Sequence, residues 1–221
     1  MSDINQMENF KVVLLGESGV GKTSIISQFI DSTFQEDIQA STGGTFSSKT
    51  LAYDNGKTLK FEIWDTAGQE RYRSLTRMFY KDAGAALLVY DITNNLSFEE
   101  IKNYWTEQIK EAAPQDIIIA IVANKSDLYE EEQVDEGEAR NLAKELGAIF
   151  CSTSAKNRSG IDDLFIQIAK KYTGAGEVEI RNEEDEYSNT SKNDVREVSK
   201  DGNMKISTLK SFKKDNKKKC C

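Results

Sequence analysis

Gly16-Glu17-Ser18-Gly19-Val20-Gly21-Lys22-Thr23-Ser24 is the stretch on which the fold turns. It meets the pattern G-x-x-x-x-G-K-[ST], and its flanks are of the right kind. Before it runs the strand-like Phe10-Lys11-Val12-Val13-Leu14-Leu15; after it, Ile25, Ile26 and Phe29 fall at helical spacing. A strand that enters a glycine-rich loop and leaves as a helix makes an anion cradle. Successive backbone N–H groups turn inward, and the helix adds its positive N-terminal end. In such a cradle Lys22 supplies a point charge for β- and γ-phosphates. The Thr23 hydroxyl is a ligand for Mg²⁺, and Gly16, Ser18, Gly19, Val20, Gly21 and Ser24 complete the wall around the phosphates.

Working outward, strand-like and helix-like stretches alternate. Strands are expected at Phe10–Leu15, Thr45–Tyr53, Leu59–Trp64, Ala85–Tyr90, Ile117–Ala123 and Ala148–Cys151. Helices are expected near Ser24–Ile30, Glu70–Tyr80, Ser97–Ala112, Asp135–Leu146 and Ile161–Tyr172. Asp54-Asn55-Gly56 signals a tight turn, which pairs the second and third strands as an antiparallel hairpin. The expected fold is therefore α/β: a six-stranded, mostly parallel sheet flanked by helices, of the P-loop nucleotide-hydrolase kind. Ligands then lie at the carboxyl ends of the strands.

Composition limits the functions open to this chain. The 221 residues carry a formal charge of −8, which argues against nucleic acid as a partner. There is no histidine, so His-based acid–base chemistry, His-activated nucleophiles and His-ligated zinc are all excluded. Three cysteines, Cys151 and the adjacent Cys220 and Cys221, make no disulfide framework. The polar residues 1–9 lack the apolar core of a signal peptide and are expected to be disordered. A single folded domain is expected over 10–173. Beyond it the character changes: residues 177–186 hold six acids and one arginine, and residues 205–221 hold seven lysines and one aspartate. Residues 174–221 therefore read as a disordered tail, acidic first and basic last.

Further candidate groups sit at strand ends. Asp65-Thr66-Ala67-Gly68-Gln69 follows the third strand. Asp65 there can hold Mg²⁺ through water, the Gly68 N–H can approach a γ-phosphate, and Gln69 can orient an attacking water. Asn124-Lys125-Ser126-Asp127 follows the fifth strand. The Asp127 carboxylate can accept both N1–H and the exocyclic amine of guanine, a pattern adenine lacks; leaving it unpaired should reject adenine by roughly 10⁴–10⁵. Ser154-Ala155-Lys156, past the sixth strand, offers a backbone N–H for the guanine O6. Each short motif alone is weak, but their order and their placement at strand ends reinforce one another.

With Phe61-Glu62-Ile63-Trp64-Asp65-Thr66-Ala67-Gly68-Gln69-Glu70-Arg71-Tyr72-Arg73-Ser74-Leu75 and Val89-Tyr90-Asp91-Ile92-Thr93 added, the chain resembles a Rab-family small GTPase over residues 8–173 and at the terminal Cys-Cys. Glu62-Ile63-Trp64 and Ser74-Leu75 look most like the endocytic branch. The resemblance implies a monomeric GTP/GDP switch with Mg²⁺ that hydrolyses GTP and recruits effectors in vesicle trafficking. It implies an exchange factor, a GTPase-activating protein and a GDP-dissociation inhibitor as partners, and the cytoplasmic face of endomembranes, endosomal ones for that branch, as location. It also carries over Phe34 as the aromatic against the guanine, and Phe46, Trp64 and Phe79 as an apolar effector-facing trio. For the trio, ordinary packing explains the residues equally well.

One stretch departs from the family. Ser41-Thr42-Gly43-Gly44-Thr45-Phe46 puts Ser41 where a threonine is usual. Serine keeps a hydroxyl for Mg²⁺ and an N–H for the γ-phosphate, but the paired glycines raise the entropy lost on ordering; a one-residue slip would give the role to Thr42. At the other end, Cys220 and Cys221 behind a lysine run look like the family's paired prenylation site, where two lipid chains give stable anchoring. Catalysis would rest on positioning and charge, with intrinsic turnover of about 10⁻⁴ s⁻¹ until a partner completes the site. Two rivals stand beside this reading: a GTP-holding scaffold that barely hydrolyses, and a P-loop kinase or ATPase, against which Asn124–Asp127 speaks.

Overall fold

The computed structural model describes residues 7–36, 44–54, 57–66 and 78–180. Its centre is a seven-stranded sheet in the order β6-β5-β4-β1-β3-β2-β7. The strands are β1 (Met7–Leu15), β2 (Thr45–Tyr53), β3 (Lys57–Asp65), β4 (Ala85–Asp91), β5 (Ile118–Asn124), β6 (Ile149–Ser152) and β7 (Val178–Ile180). β1 runs parallel to β3 and β4, and β4, β5 and β6 are parallel in turn. β2 pairs antiparallel with β3 from Thr45↔Asp65 to Tyr53↔Lys57, so the expected hairpin forms in register. Its Asn55-Gly56 tip lies outside the described residues.

The central strands are apolar without alternation because both faces are covered. On β1, Phe10, Val12 and Leu14 join one core while Val13 and Leu15 join the other, all at most 2 % exposed. The first core is closed by α1 (Lys22–Asp31) and by a long helix at Ile161–Thr173. There Phe29 stacks on Phe165 with ring centroids 3.6 Å apart, and Phe61 packs edge-on against both. Aromatic pairs of this kind add about 0.5–1.5 kcal/mol beyond area burial.

The second core is closed by α2 (Asn95–Glu100), a π segment at Ile101–Trp105, α3 (Thr106–Ala112) and α4 (Glu136–Glu145). The π segment widens the helix by one residue, and the Ile101 carbonyl accepts both the Thr106 N–H and, at 2.7 Å, the Thr106 hydroxyl. The Ile161–Thr173 helix, α5, ends at Gly174, whose φ of 68° and N–H to Lys170 O close the helix as expected for a C-terminal glycine. Of the helix expected over Glu70–Tyr80, only residues 78–80 are described, and they are helical.

Two differences from the sequence reading concern the edges. β1 begins at Met7, inside the segment expected to be disordered: Met7, Glu8 and Asn9 continue the parallel ladder along Thr58, Leu59 and Lys60. A ladder needs only backbone, so exposed polar side chains do not end it. The sheet also has a seventh strand where a tail was expected from residue 174. Val178 and Ile180 alternate with Glu177 and Glu179, pair with the outer edge of β2 at Leu51–Tyr53, and pack on the first core. Two apolar residues in an acidic run are too few to register as a strand; the free edge of β2 supplies the other half of the signal.

Truncation after Gly176 should remove β7 and lower stability by about 2 kcal/mol, the worth of two half-buried aliphatic side chains. Truncation after Asn182 should change nothing. Chemical denaturation of both chains beside the full-length one checks this.

Candidate functional site

The loop between β1 and α1 adopts the cradle geometry. Gly16, Gly19 and Gly21 have φ of 142°, 80° and 96°. Gly16 and Gly21 are also sterically required, because a Cβ would lie 2.2 Å from the Val89 carbonyl oxygen or 2.3 Å from Asn124 Nδ2. Lys22 is 5 % exposed, and its Nζ donates to the Gly16 and Glu17 carbonyls at 3.0 and 2.8 Å. Burial lowers its pKa to about 8, against the opposing pull of Asp65 and Glu17. An anion brought into the loop would favour the charged form and raise the pKa again.

Next to the lysine, the Thr23 hydroxyl donates to Asp65 Oδ2 at 2.6 Å, joining the start of α1 to the end of β3. These are hard oxygen donors of the kind Mg²⁺ takes. Among the described residues no group of three His, Cys, Asp or Glu sits together. Thr66, not singled out from sequence, anchors this corner by donating from Oγ1 to the Leu14 carbonyl at 2.6 Å.

The second half of the site comes from β5 and β6. Asn124, 1 % exposed, donates from Nδ2 to the Val20 carbonyl at 2.8 Å and accepts from Thr153 Oγ1 at 3.2 Å. Its amide is thus committed to tying three loops together. Lys125 sits in left-handed backbone at φ 64°, and its Nζ pairs with Asp91 Oδ2 at 2.6 Å. The other Asp91 oxygen accepts from the Thr93 N–H and hydroxyl. Asp127 accepts from the fully buried Ser154 Oγ at 2.5 Å, and that hydroxyl oxygen accepts in turn from the Asn157 N–H. A carboxylate held by one oxygen in this way is aimed.

These elements border one cleft of about 350 Å³, lined by Ser18, Gly19, Gly21, Lys22, Thr23 and Ser24 on one side and Asn124, Lys125, Asp127, Ala155 and Lys156 on the other. Phe34, half-buried on the first core, forms a third wall with Gln35 and Glu36. Gly16, Val20, Asp65 and Ser154 lie beneath this surface as support. Sequence reasoning missed Gln35, Glu36, Leu128, Asp91 and Thr153. Only Asp91 carried a legible signal, the Asp-x-Thr turn at a strand end. Ser41, Gly68, Gln69, Cys220 and Cys221 lie outside the described residues.

Phe46, Trp64 and Phe79 do meet: ring centroids are 5.3 Å apart for the first pair and 5.8 Å for the second, and Phe46 is 52 % exposed. The backbone passes close to this cluster at Gly44, where a Cβ would stand 3.0 Å from Phe79 Cζ. Cys151 is buried, and burial pushes its thiol up to about 11, so it is no nucleophile.

Comparison with known proteins agrees with this geometry. The family model described as the Ras family matches residues 11–174. Human Ras-related protein Rab-22A is 43 % identical over 165 residues, 75 % of this chain and 84 % of that protein. Rab5A from Oryza sativa subsp. japonica is 45 % identical over 167 residues, 76 % of this chain and 81 % of that protein.

Asn124→Ala would strand the buried Val20 carbonyl and the Thr153 hydroxyl. We expect a loss of about 3 kcal/mol, read by guanidinium unfolding, from two unsatisfied groups. A loss below about 1 kcal/mol would mean that water replaces the bridge.

Proposed function

The chain belongs to the Ras family as a Rab small GTPase, and from that premise we propose how its residues bind and cleave the nucleotide and how it reaches a membrane. Members of the family are GTP hydrolases of membrane trafficking, and this chain is one: it binds GTP and GDP, hydrolyses GTP, and works with regulators and effectors at endomembranes. The scaffold reading is not favoured.

The observation that carries the assignment of residue roles is the single cleft in which the β1–α1 loop and the β5 and β6 loops converge, joined by Asn124. The β1–α1 loop takes the phosphates, with Lys22 against their charge. Asp127, aimed by Ser154, takes guanine N1–H and the exocyclic amine, and the N–H groups of Ala155 and Lys156 face O6. The Lys125 stem covers one face of the base, and Phe34 closes the other side. Thr23, and Asp65 through water, would hold Mg²⁺, with Ser41 or Thr42 as a further ligand. That ion, when bound, neutralises charge on the β- and γ-phosphate oxygens. Hydrolysis is then an in-line attack of water on the γ-phosphorus: the bond to the bridging oxygen breaks, and GDP and phosphate leave. Lys22 stabilises the charge that gathers on the bridging oxygen, and Gln69 orients the water, with the Gly68 N–H on the γ-phosphate.

The Phe46, Trp64 and Phe79 cluster supports an effector-facing role, since an exposed aromatic on a sheet edge is poorly explained by packing alone. Among the described residues no helix is long and apolar enough to cross a membrane. Attachment falls to prenyl groups on Cys220 and Cys221, helped by the lysines before them at about 1 kcal/mol each on an anionic leaflet. An exchange factor, an activating protein and a GDP-dissociation inhibitor would serve the cycle, at the cytoplasmic face of endosomal membranes.

Gln69→Leu should leave GTP affinity within about twofold and slow hydrolysis by at least tenfold, because its contact is with the water and not with the ground-state nucleotide. Single-turnover hydrolysis with and without an activating protein tests it; an unchanged rate in both would remove Gln69 from the mechanism.

Deleting Cys220 and Cys221 should make the protein cytosolic without altering nucleotide affinity, and removing one cysteine should weaken retention in part. Fractionation of cells expressing each chain reads this. Full membrane retention of the double deletion would assign the anchor to another segment.

A further inference from the structure

The turn after Ala155 contains an arginine that nucleotide binding leaves without a task. Arg158 holds left-handed backbone at φ 68°, a conformation that costs a residue with a Cβ about 1–2 kcal/mol and persists only when its surroundings impose it. The reason is visible in the side chain. Nε and Nη2 grip the Asp162 carboxylate at the start of α5, with contacts of 2.9 to 3.3 Å. Nη1 points the other way, donating to the Gln28 carbonyl at 3.0 Å and to Ser32 Oγ. Those two groups are the C-terminal end of α1, where a cation also complements the helix dipole. One planar guanidinium therefore spans two helices, which lysine's single ammonium cannot do with the same geometry.

The turn that carries Arg158 is closed on both sides of it. Ser154 N–H donates to the Ser159 carbonyl at 2.9 Å, and the Asn157 side chain accepts from the Ser159 N–H at 3.0 Å. Ser154 is also the residue whose hydroxyl holds Asp127. A displacement of Arg158 is thus passed through a short hydrogen-bonded turn to the carboxylate. At its other end the guanidinium rests on α1, a ten-residue helix that begins at Lys22.

We propose that Arg158 is a positioning residue that braces the turn at residues 154–159 against the far end of the phosphate-loop helix, so that Asp127 stays aligned on the base and the nucleotide is held longer. The proposal rests on the reading of Asp127 as the guanine acceptor. A residue that merely glued α1 to α5 would affect stability and the release of every nucleotide alike. Alignment of Asp127 has its own readout. Inosine diphosphate lacks the exocyclic amine that the carboxylate accepts from, so the ratio of GDP to IDP affinity measures that contact alone.

The test is stopped-flow release and competition of GDP and IDP on the full chain, for wild type, Arg158→Ala and Arg158→Lys. Arg158→Ala should release GDP about tenfold faster, as expected for loss of charge-assisted hydrogen bonds, and should lower the GDP/IDP ratio severalfold. Arg158→Lys should move both quantities in the same direction by less, and it keeps the experiment decisive if the alanine variant does not fold. Faster release of both nucleotides with an unchanged ratio would reduce Arg158 to a strut and overturn the proposal, as would unchanged release. If wild type itself does not distinguish GDP from IDP, it is the guanine reading of Asp127 that fails, and the proposal falls with it.

Discussion

The Asn124 amide is the contact on which the rest of the site depends. Its Nδ2–H reaches the Val20 carbonyl at 2.8 Å, across the top of β4, and so fixes the loop after β5 to the loop after β1. A glycine-rich loop built from left-handed residues has little stiffness of its own. One buried hydrogen bond whose partners have no water to turn to supplies that stiffness, since breaking it costs the full desolvation of both groups. The same bond explains Gly21, which must lack a Cβ because Asn124 occupies that space. The two halves of the cleft thus share one mechanical link.

Around that link the electrostatics are arranged to respond to a ligand. Lys22 is buried among carbonyls with its basicity lowered, and Asp65 lies close enough to oppose the effect without cancelling it. Polyphosphate is the anion such a lysine suits, because an added negative charge in a desolvated site is worth far more than one at the surface. On the side of the β5 and β6 loops the charged groups instead already have partners. Lys125 is paired with Asp91, and Asp127 is held by Ser154. The β1–α1 half of the cleft is thus set by charge, while the β5–β6 half is set by direction.

The outer parts of the fold divide the same way between rigid and open. Arg158 and Lys49 both donate to carbonyls at the end of α1, which makes that helix a stiff strut between the cleft and the back of the domain. β7 covers the β2 edge only at Leu51–Tyr53. The other end of β2 carries Phe46, exposed beside Trp64 and Phe79. One strand therefore serves the core at one end and offers an aromatic surface at the other.

How much of this was legible beforehand depends on the range of each interaction. The β1–α1 cradle, the hairpin of β2 on β3, and Asp65, Asn124 and Asp127 at strand ends are written in local patterns, because glycine conformation, turn geometry and strand burial act over a few residues. Even the chemistry of the cleft is local in this sense, since each motif carries its own donor or acceptor. The amide of Asn124 is different: the sequence places it at a strand end, and only the fold shows that it bonds the Val20 carbonyl and the Thr153 hydroxyl. Thr66 on Leu14 and Arg158 on Gln28 join residues 52 and 130 positions apart. Asp91 under Lys125 links the ends of two strands, and β7 needs an edge of β2 that exists only once the sheet has formed. The amino-acid sequence alone determined which donors and acceptors stand at the strand ends around the cleft. Which of them face the cleft and which hold the others in place was decided by the tertiary structure, because that depends on where strands distant in sequence end beside one another.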